Sequence, residues 1–561
     1  MTRQFEVTLR DGAARLGKLR WKERELTTPH ILESKEDLEL LKKAVTDNEE
    51  LRVEVVSDPD DIGSREITAD VVILGAALRF ERDPRGLSRA LMSVRESINP
   101  DAALYTPALA TPANLSMLVY AGVDLIDTVL PEVKAREGFV LYTDGEDRFD
   151  ETQGFPCVCS ACLGTAVDNA AIEQRIARAS EHNQVALRAE LSRVRRHIGQ
   201  GTLRELVEGR CRATPVMTAF LRLLDEAYPY FERRAPLVRT ATLLACSQES
   251  LNRAEILRFN ERVISRLTQR EGILLLLPCS ARKPYSRSRS HKVVLECVRA
   301  FRPFINEAIM TSPIGIVPRG LEVMYPAGNY DVPVTGKWTC DEKEWVRGRL
   351  IEFVEVNSFT TVIAHVDGPY REICDEAAAM LDVDVVYSVE DEGVLSPVAL
   401  QRLEEMVKDA VAAHSPKRRD VRFDYIRDTV DYQFGKSTSA RIFLSAPKVR
   451  GRFPTYYVSD GGRRVATLVE KYGTCALTVE GARRYIGKRA SQYCVWIDDF
   501  VPKGTVFAIG VQRADPVIRP FDEVIVLNDN TIAVGRALMS GWEMQRSNRG
   551  AAVAVRHVED R

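Results

Sequence analysis

The sequence predicts a multidomain α/β protein that ends in a small β-barrel. At about 100–200 residues per domain, its 561 residues correspond to about three to five domains. Short apolar strands alternate with helical stretches over the first 130 residues, which is typical of α/β packing. The apolar run at 272–277 indicates a strand buried on both faces of a parallel sheet. From about residue 487, short β segments alternate with Gly and Pro turns, as in a small barrel.

The composition is that of a globular chain. Hydrophobic residues make up 45% and charged residues 28%, which excludes the collagen, coiled-coil and disordered classes. The 78 Lys and Arg residues balance 80 Asp and Glu residues, so an RNA-binding surface would have to be local. The amino terminus has no apolar signal-peptide core, and the longest apolar runs are far shorter than a membrane span. We therefore expect a cytoplasmic protein with no membrane partner.

The first domain is predicted at 1–235. Its strands are expected at 5–9, 53–56, 71–74, 104–106 and 121–126, and a helix is expected at 86–98. Between about 167 and 224, apolar residues recur three and four positions apart, with one marked break at Gly199-Gln-Gly201. This spacing indicates a helical subdomain.

A second α/β domain is predicted at 236–415. After the apolar run, strands are expected at 314–317 and 361–365, and helices at 291–301, 342–354 and 397–412. The basic stretch 414–419 is interpreted as a linker. A small α+β domain at 416–485 and the barrel at 486–561 complete the predicted organisation.

Three cysteines within six positions suggest a metal site rather than a disulfide framework. The pattern is Cys157-x-Cys159-x2-Cys162, and His182 follows twenty residues later. Three thiolates and an imidazole are the closed tetrahedral set expected of structural Zn²⁺. His182 is the weaker ligand of the four, because His197 is a rival. The alternative is that these are ordinary buried cysteines.

A second constellation follows the buried strand at once. Its pattern is Pro278-Cys279-Ser280-x2-Lys283-Pro284-Tyr285-x2-Ser288-x2-His291, and sites of α/β proteins lie beyond the carboxyl ends of strands. Cys279 is a candidate nucleophile, since the neighbouring Arg282 and Lys283 favour its thiolate form. We therefore predict an active site here, with no organic cofactor.

The other polar residues of this pattern have predicted roles as well. Lys283 and Tyr285 are candidate donors of hydrogen bonds or protons, and Ser280 and Ser288 are candidates for holding a polar substrate. His291 is a candidate acid or base near neutral pH. From chemistry alone, a basic surface loop that contacts phosphates, with Cys279 merely filling space, is an equal alternative.

Two acids lie just after predicted strands of the same domain. Asp331 and Asp367 are both candidates for holding an ammonium group or taking its proton. The alternative is that each only forms a turn, because Asp before Gly or Pro is a frequent turn former.

The first 230 residues resemble the tRNA-guanine transglycosylase family. The resemblance rests on 5–12 through Thr28-Pro29, on Val123-Asp-Leu-Ile-Asp127-Thr-Val-Leu-Pro131, on the cysteine cluster with His182-Asn183, and on 201–207. It implies a TIM-like barrel in which zinc holds a helical insertion, and it places Asp127 where the family has its nucleophile.

Several landmarks of that family are missing between Thr28 and Asp127. Neither the Asp-Ser-Gly-Gly-Phe-Gln segment, which supplies the second catalytic carboxylate, nor the Val-Gln-Gly and Gly-Gly-Leu segments, which bind the base, occur there. Fewer than 100 residues separate these landmarks, whereas a complete barrel needs about 250 residues in all. We therefore expect a shortened barrel with base exchange disabled, and Asp127 as a structural or substrate-contacting acid.

The constellation from Pro278 to His291 resembles the signature of the archaeosine synthase family. Pro313-Ile-Gly-Ile-Val-Pro318 and Tyr330-Asp331-Val-Pro-Val-Thr-Gly336 also match that family. The resemblance implies an enzyme that acts on tRNA carrying 7-cyano-7-deazaguanine in the D-arm and adds an amine donor across the nitrile to give an amidine. The donor would be free lysine, or glutamine, and a radical-SAM partner would cleave the lysine adduct. Whether the chain forms a homodimer stays open.

The carboxyl-terminal barrel resembles a PUA domain. The matching segments are 502–504, 518–526 and 533–540, and Gly504 and Arg536 are the candidate RNA contacts. The preceding segment, 421–485, resembles the small domain that comes before PUA in the same family. The alternative is a barrel that docks another protein.

Three functions are therefore weighed from the sequence. The leading one is modification of a base within tRNA, with Cys279 adding to the nitrile carbon as a thioimidate that the amine then displaces. A transglycosylase that exchanges guanine for a 7-deazaguanine base is the first alternative, and it would need the missing second carboxylate. A non-catalytic tRNA-binding accessory protein is the second, and the intact pattern from Cys279 to His291 argues against it.

Overall fold

A computed structural model describes residues 5–21, 24–33, 52–59, 67–149, 156–163, 171–334, 336–445, 447–487 and 492–561. The chain folds into two compact units. The first comprises Met1–Pro236, Thr505–Pro520 and Leu538–Val553, and the second comprises Leu237–Gly504, Phe521–Ala537 and Ala554–Arg561. In the part of the chain that is described, no helix has the length and apolar character needed to cross a membrane.

The first unit contains ten strands before residue 150, in three sheets among the described residues. The strands are β1 (Phe5–Asp11), β2 (Ala14–Trp21), β3 (Arg24–Thr28), β4 (His30–Leu32), β5 (Val53–Val56), β6 (Val71–Leu74), β7 (Ala103–Tyr105), β8 (Leu125–Asp127), β9 (Phe139–Leu141) and β10 (Glu146–Arg148). β1, β2 and β3 form an antiparallel sheet, and β9 pairs with β10. A parallel sheet has the order β4-β8-β7-β6-β5, which agrees with a shortened barrel.

Seven helices complete the described part of Met1–Pro236. They are α1 (Pro84–Ser97), α2 (Leu115–Tyr120), α3 (Val129–Arg136), α4 (Ile172–Gln200), α5 (Leu203–Arg210), α6 (Pro215–Glu226) and α7 (Tyr228–Arg234). The long helix α4 ends because Gly201 adopts a left-handed conformation, with φ 67°, that glycine tolerates. The predicted helical subdomain is thus present from Ile172 onward, and its expected first residues, 167–170, lie outside the described residues.

The second unit is built on a five-stranded sheet. Its strands up to residue 390 are β11 (Leu243–Leu244), β12 (Glu271–Pro278), β13 (Ile305–Thr311), β14 (Gly315–Pro318), β15 (Tyr330–Asp331), β16 (Ser358–Ala364) and β17 (Asp384–Tyr387). The sheet order is β14-β13-β12-β16-β17, so β12 lies at the centre and is buried on both faces. The helices of this part are α8 (Ala254–Arg266), α9 (Arg289–Cys297), α10 (Cys340–Glu355), α11 (Gly368–Ala378) and α12 (Pro397–His414).

Three features of this sheet differ from the sequence prediction. The fully buried strand β13 and the edge strand β17 were not predicted, and β14 pairs with β13 antiparallel instead of extending a parallel sheet. Asn306 and Glu307 interrupt the apolar pattern of β13. Their polar groups are satisfied inside the protein, because Glu307 is bonded to Arg302 and Arg319, each at 2.7 Å.

The small domain and the carboxyl-terminal strands follow the linker. Their helices are α13 (Val421–Phe434), α14 (Thr438–Ile442), α15 (Val479–Ile486) and α16 (Gly541–Met544). Their strands are β18 (Lys448–Arg452), β19 (Thr455–Asp460), β20 (Arg463–Val469), β21 (Thr474–Leu477), β22 (Cys494–Ile497), β23 (Thr505–Phe507), β24 (Val511–Ala514), β25 (Glu523–Leu527), β26 (Thr531–Ala537) and β27 (Ala551–Asp560). β18 to β21 form an antiparallel sheet, and β25 pairs with β22 in parallel and with β26 antiparallel.

The predicted fold class is confirmed as a multidomain α/β architecture. The boundaries of the four predicted domains stay a prediction.

Candidate functional site

The four predicted metal ligands converge in the first unit. The ligand atoms of Cys157, Cys159, Cys162 and His182 lie within 4.8 Å of one another. The Cys159 and Cys162 sulfurs are 3.5 Å apart, and each lies 3.4–3.5 Å from His182 Nδ1. Zinc–sulfur bonds of about 2.3 Å in a tetrahedron place two sulfurs about 3.7 Å apart, so these separations and this donor set fit Zn²⁺.

A second layer of contacts orients the histidine ligand. His182 lies on α4 and is buried, and its Nε2 is 3.0 Å from the carbonyl oxygen of Leu141, the last residue of β9. Since Nε2–H donates to this carbonyl, the unprotonated Nδ1 is the atom that faces the two sulfurs and can ligate a metal ion. The neighbouring Asn183 accepts from the Leu141 amide and donates to the Phe139 carbonyl of the same strand. The rival His197 contacts Thr202 at the end of α4 instead.

Asp127 is held inside the first unit by three hydrogen bonds. Its carboxylate accepts from the Tyr105 hydroxyl at 2.6 Å, from the Ala108 amide at 3.0 Å and from the Val129 amide at 2.9 Å. The residue is 1% exposed. These contacts favour the structural role over substrate contact, and the role itself stays a prediction.

Cys279 lies at the carboxyl edge of the central strand of the second unit. β12 ends at Pro278, so the half-buried Cys279 side chain begins where the strand leaves the sheet. Its sulfur is 2.9 Å from the hydroxyl of Tyr370, which lies in the first turn of α11. Burial, together with the Cys279 sulfur, raises the pKa of Tyr370. The Tyr370 ring packs edge-on against Trp338, with centroids 4.8 Å apart.

Lys283 is positioned by an aromatic face beside the cysteine. Its Nζ lies 3.9 Å from the centroid of the Tyr330 ring, a cation–π contact. The Tyr330 hydroxyl is bonded to Thr311 and, at 2.8 Å, to the hydroxyl of the fully buried Tyr285. Burial lowers the pKa of Lys283, while Cys279 and Asp331 oppose this effect. The hydrogen bond from Tyr285 therefore helps to hold the Tyr330 ring in place. Of Lys283 and Tyr330, only Lys283 is half-exposed.

His291 and Ser288 hold the loop rather than face solvent. His291 is 3% exposed, its Nε2 is 3.0 Å from the Pro278 carbonyl oxygen, and its Nδ1 is 3.1 Å from an Arg319 nitrogen. Burial, and secondarily Arg319, lowers the pKa of His291 to about 3, so the ring is neutral. Ser288 caps α9 by accepting from the His291 amide at 3.2 Å. This geometry favours positioning roles over the predicted acid/base and substrate-holding roles.

A buried carboxylate anchors the middle of the same loop. Glu322 is 0% exposed and accepts hydrogen bonds from the Ser286 amide at 2.7 Å, from the Ser286 hydroxyl and from the Tyr425 hydroxyl. Arg319 Nη1 lies 3.2 Å from the same carboxylate and its Nε lies 2.7 Å from Glu307. The loop is thus tied to an ion-pair network in the interior.

The remaining candidate residues lie on two sheets, because β15, which ends at Asp331, pairs with β11 and not with the five-stranded sheet. Asp367 immediately precedes α11 and is exposed, and Asp331 ends β15 and is exposed as well. Asp331 Oδ1 accepts from the Val332 amide at 2.9 Å. Arg282 is exposed, and its carbonyl accepts from the half-buried Ser280 hydroxyl at 3.1 Å. Because β12 and β16 are parallel neighbours, Cys279 and Asp367 leave the sheet at the same edge.

Four family models match separate parts of the chain. They are Queuine tRNA-ribosyltransferase at 47–216, a domain of unknown function (DUF5591) at 256–407, the Patch-forming domain C2 of tRNA-guanine transglycosylase at 424–488, and the PUA domain at 495–558. The Cys279 site therefore lies in the segment whose model carries no function.

Curated relatives cover nearly the whole chain. The "Archaeosine synthase subunit alpha" of Methanosarcina acetivorans is 42% identical over 503 residues, which is 88% of this chain and 80% of the relative. The "Archaeosine synthase" of Haloferax volcanii is 37% identical over 598 residues and is matched along 100% of both chains. The chain belongs to the archaeosine synthase family. A "tRNA-guanine(15) transglycosylase" of Methanothermobacter thermautotrophicus is 26% identical over 492 residues, which is 84% of this chain and 68% of the relative.

Membership of the archaeosine synthase family confirms the predicted resemblance, but several residues of the site were missed. Tyr370 and Tyr330 were not predicted, nor were Arg319 and Glu322. Tyr330 lay within the segment 330–336 already singled out, whereas Tyr370 lies three positions after Asp367 and outside any such segment. The two network residues offered no comparable signal, because Arg and Glu near a strand end are common on surfaces.

The two RNA-contact candidates have different surroundings. Gly504 is exposed, adopts φ 76° and accepts from the Val555 amide at 2.7 Å. The Arg536 guanidinium stacks over the Tyr472 ring at 3.7 Å. Their roles in RNA binding stay a prediction.

Proposed function

We propose that this chain modifies tRNA in archaeosine biosynthesis by transferring an amine donor onto the nitrile of 7-cyano-7-deazaguanine in the D-arm. The product is an amidine, and free lysine is the expected donor, with glutamine as the alternative nitrogen source. Family membership supports the tRNA substrate and the archaeosine pathway. The single observation that carries the chemistry is the position of Cys279, a half-buried thiol at the edge of the sheet, within hydrogen-bond distance of a phenol.

In the first step, the Cys279 sulfur adds to the nitrile carbon. A sulfur–carbon bond forms and one carbon–nitrogen π bond breaks, and the nitrile nitrogen takes up one proton. The thiol supplies that proton overall, so nitrile and thiol give a thioimidate without an oxidant or a reductant. This step is useful because an unactivated nitrile is a poor target for an amine.

In the second step, the amine of the donor attacks the thioimidate carbon. A carbon–nitrogen bond forms, the carbon–sulfur bond breaks, and the sulfur leaves as a thiolate that regains a proton, so the enzyme is regenerated. Asp331 and Asp367 are exposed carboxylates, each at or just after the end of a strand, and they suit an ammonium group that must lose a proton before it attacks. The Lys283 cation favours the departing thiolate.

We also propose that Cys157, Cys159, Cys162 and His182 hold a structural Zn²⁺. A tetrahedral set of three thiolates and one imidazole has no open position, so the ion would link 157–162 to α4 and take no part in the reaction. Arg536 and Gly504 are proposed RNA contacts, and a radical-SAM enzyme that cleaves a lysine adduct is a proposed partner.

The experiment is mass spectrometry of nucleosides from tRNA that carries 7-cyano-7-deazaguanine, after incubation with the full chain and either lysine or glutamine. We expect the modified nucleoside to gain one lysine with wild type and no mass with Cys279→Ala. Cys340→Ser is the matched control, because this exposed cysteine lies outside the proposed site, and it should behave as wild type.

Three results would contradict the proposal in different ways. Amidine formation by Cys279→Ser at near the wild-type rate would remove the covalent step. Release of the base, or its exchange for guanine, would instead favour the transglycosylase alternative. No change of the nucleoside with either donor would favour an accessory tRNA-binding protein.

A further inference from the structure

The hydroxyl of Tyr370 is the phenol that contacts the candidate nucleophile. Tyr370 Oη lies 2.9 Å from Cys279 Sγ, and Tyr370 reaches this position from α11, 91 residues along the chain. Either atom can donate when the cysteine is a thiol, but only the phenol can donate when it is a thiolate. A hydrogen bond from an uncharged phenol to a thiolate stabilises the charged form.

The other two tyrosines near the site are placed differently. The Tyr285 and Tyr330 hydroxyls are bonded to each other at 2.8 Å, and the Tyr330 hydroxyl also bonds Thr311. Lys283 Nζ lies over the ring of the buried Tyr330, 3.9 Å from its centroid. These two phenols therefore build the support for Lys283, and Tyr370 is the one directed at the sulfur.

We propose that Tyr370 is the proton donor for addition of Cys279 to the nitrile, an inference that rests on the proposed function. When the sulfur bonds to the nitrile carbon, the nitrile nitrogen is two bonds from the sulfur. When the nitrile lies on the tyrosine side of the sulfur, a hydroxyl in contact with the sulfur can reach that nitrogen with one hydrogen bond. Tyr370 gives its proton to the nitrogen and receives the proton that the thiol lost, so the tyrosine is unchanged after the step.

The surroundings of Tyr370 keep its hydroxyl in place and protonated. Its ring packs edge-on against Trp338, which restricts the direction in which the hydroxyl can point. Burial and the adjacent sulfur raise its pKa, so the phenol carries its proton at neutral pH. A donor must be protonated before the nucleophile attacks, and Tyr370 meets that requirement.

The test is Tyr370→Phe, which removes the hydroxyl and keeps the ring that packs on Trp338. The matched control is Tyr387→Phe, because the Tyr387 hydroxyl also bonds a residue of α11, Asp375, but at an exposed position. With tRNA carrying 7-cyano-7-deazaguanine and lysine, we expect Tyr370→Phe to lower kcat for amidine formation about 100-fold, which is typical of a lost general acid. KM for tRNA should be unchanged, and Tyr387→Phe should stay within about twofold of wild type.

A second readout needs no substrate. Alkylation of Cys279 by iodoacetamide, followed by peptide mass spectrometry between pH 6 and 10, reports the fraction of thiolate. Loss of the stabilising phenol should move the midpoint of this profile upward by about one pH unit in Tyr370→Phe and not in Tyr387→Phe.

The outcomes separate this inference from the proposed function. If Cys279→Ala is inactive while Tyr370→Phe keeps kcat within about twofold of wild type, the proton-donor role is wrong and the covalent step stands. If Cys279→Ala retains full activity, the proposed covalent step is wrong. If, in addition, the pH profile of Cys279 alkylation is the same in Tyr370→Phe as in wild type, the hydrogen bond between Tyr370 and Cys279, on which the inference rests, is wrong as well.

Discussion

The buried carboxylate of Glu322 provides the sharpest test of how the loop between Cys279 and His291 is held. Glu322→Gln keeps the shape of the side chain but removes the charge that faces Arg319 and replaces one acceptor oxygen with a donor. Removing one partner of a buried ion pair costs about 3–5 kcal/mol of the free energy of unfolding. We expect about 3 kcal/mol, the lower end of that range, because Arg319 keeps its contact with Glu307 at 2.7 Å.

Glu470→Gln is the matched control. Glu322 accepts from Ser286, and Glu470 pairs with Arg287, the next residue of the same loop. Its carboxylate lies 2.8 Å from Arg287, but the two side chains are 53% and 39% exposed. An exposed pair contributes about 0–1 kcal/mol. The measurement is differential scanning calorimetry of the full chain. The second unit has about 300 residues, and at about 2.1 cal/mol/K of unfolding entropy per residue each kcal/mol shifts Tm by about 1.6 °C. Glu322→Gln should therefore lower Tm by about 5 °C and Glu470→Gln by at most about 2 °C.

Equal shifts in Tm for the two variants would refute this reasoning. The result would mean either that Glu322 is not isolated from water or that its four contacts contribute no more than one exposed ion pair. A shift caused by Glu322→Gln that disappears at high salt would point to the same conclusion, because buried pairs are screened far less than exposed ones.

Two further predictions follow from the histidine and the cysteine cluster. The pKa of His291 is about 3 in the folded chain, well below its ordinary value, so the unfolded chain binds the extra proton and stability is lost as pH falls from about 6.5 toward 3. Between pH 6 and 4.5 the free energy of unfolding should fall about 1.4 kcal/mol per pH unit more steeply in wild type than in His291→Gln, and parallel profiles in urea unfolding would contradict this. For the cluster, metal analysis of the purified chain should find one Zn²⁺, which Cys159→Ser releases to a chelator at least about tenfold more readily. Cys246→Ser, at an exposed cysteine outside the cluster, should leave zinc retention unchanged, and equal retention in both variants would count against the site.

Much of the fold was accessible from the sequence because its elements follow simple periodicities. The apolar run of β12 marks a strand buried on both faces, and α8 is strongly amphipathic. β13 was missed because Asn306 and Glu307 stand where a buried strand is expected to be apolar. The charge of Glu307 is balanced in part by Arg319, which follows β14. This contact forms only in the folded protein, so no local sequence pattern reveals that Glu307 can be buried.

The candidate site was predicted in part for a similar reason. Cys279 and Lys283 were found because they belong to one short stretch after a strand. Tyr370, which contacts the sulfur, is distant along the chain and is brought in only because β12 and β16 are parallel neighbours. The acid/base role predicted for His291 rested on the ordinary pKa of the residue, and burial beside Arg319 changes that pKa.

The spacing of the residues from Pro278 to His291 can be explained as a loop whose two ends are joined. His291 Nε2 lies 3.0 Å from the Pro278 carbonyl oxygen, so the last residue of the pattern bonds the residue before Cys279. Ser288 caps the helix that carries His291, which places the imidazole in the first turn. The pattern therefore contains two kinds of residue. Cys279 and Lys283 are half-buried and are the proposed reacting residues, and the serine and the histidine near the end of the pattern close the loop that carries them.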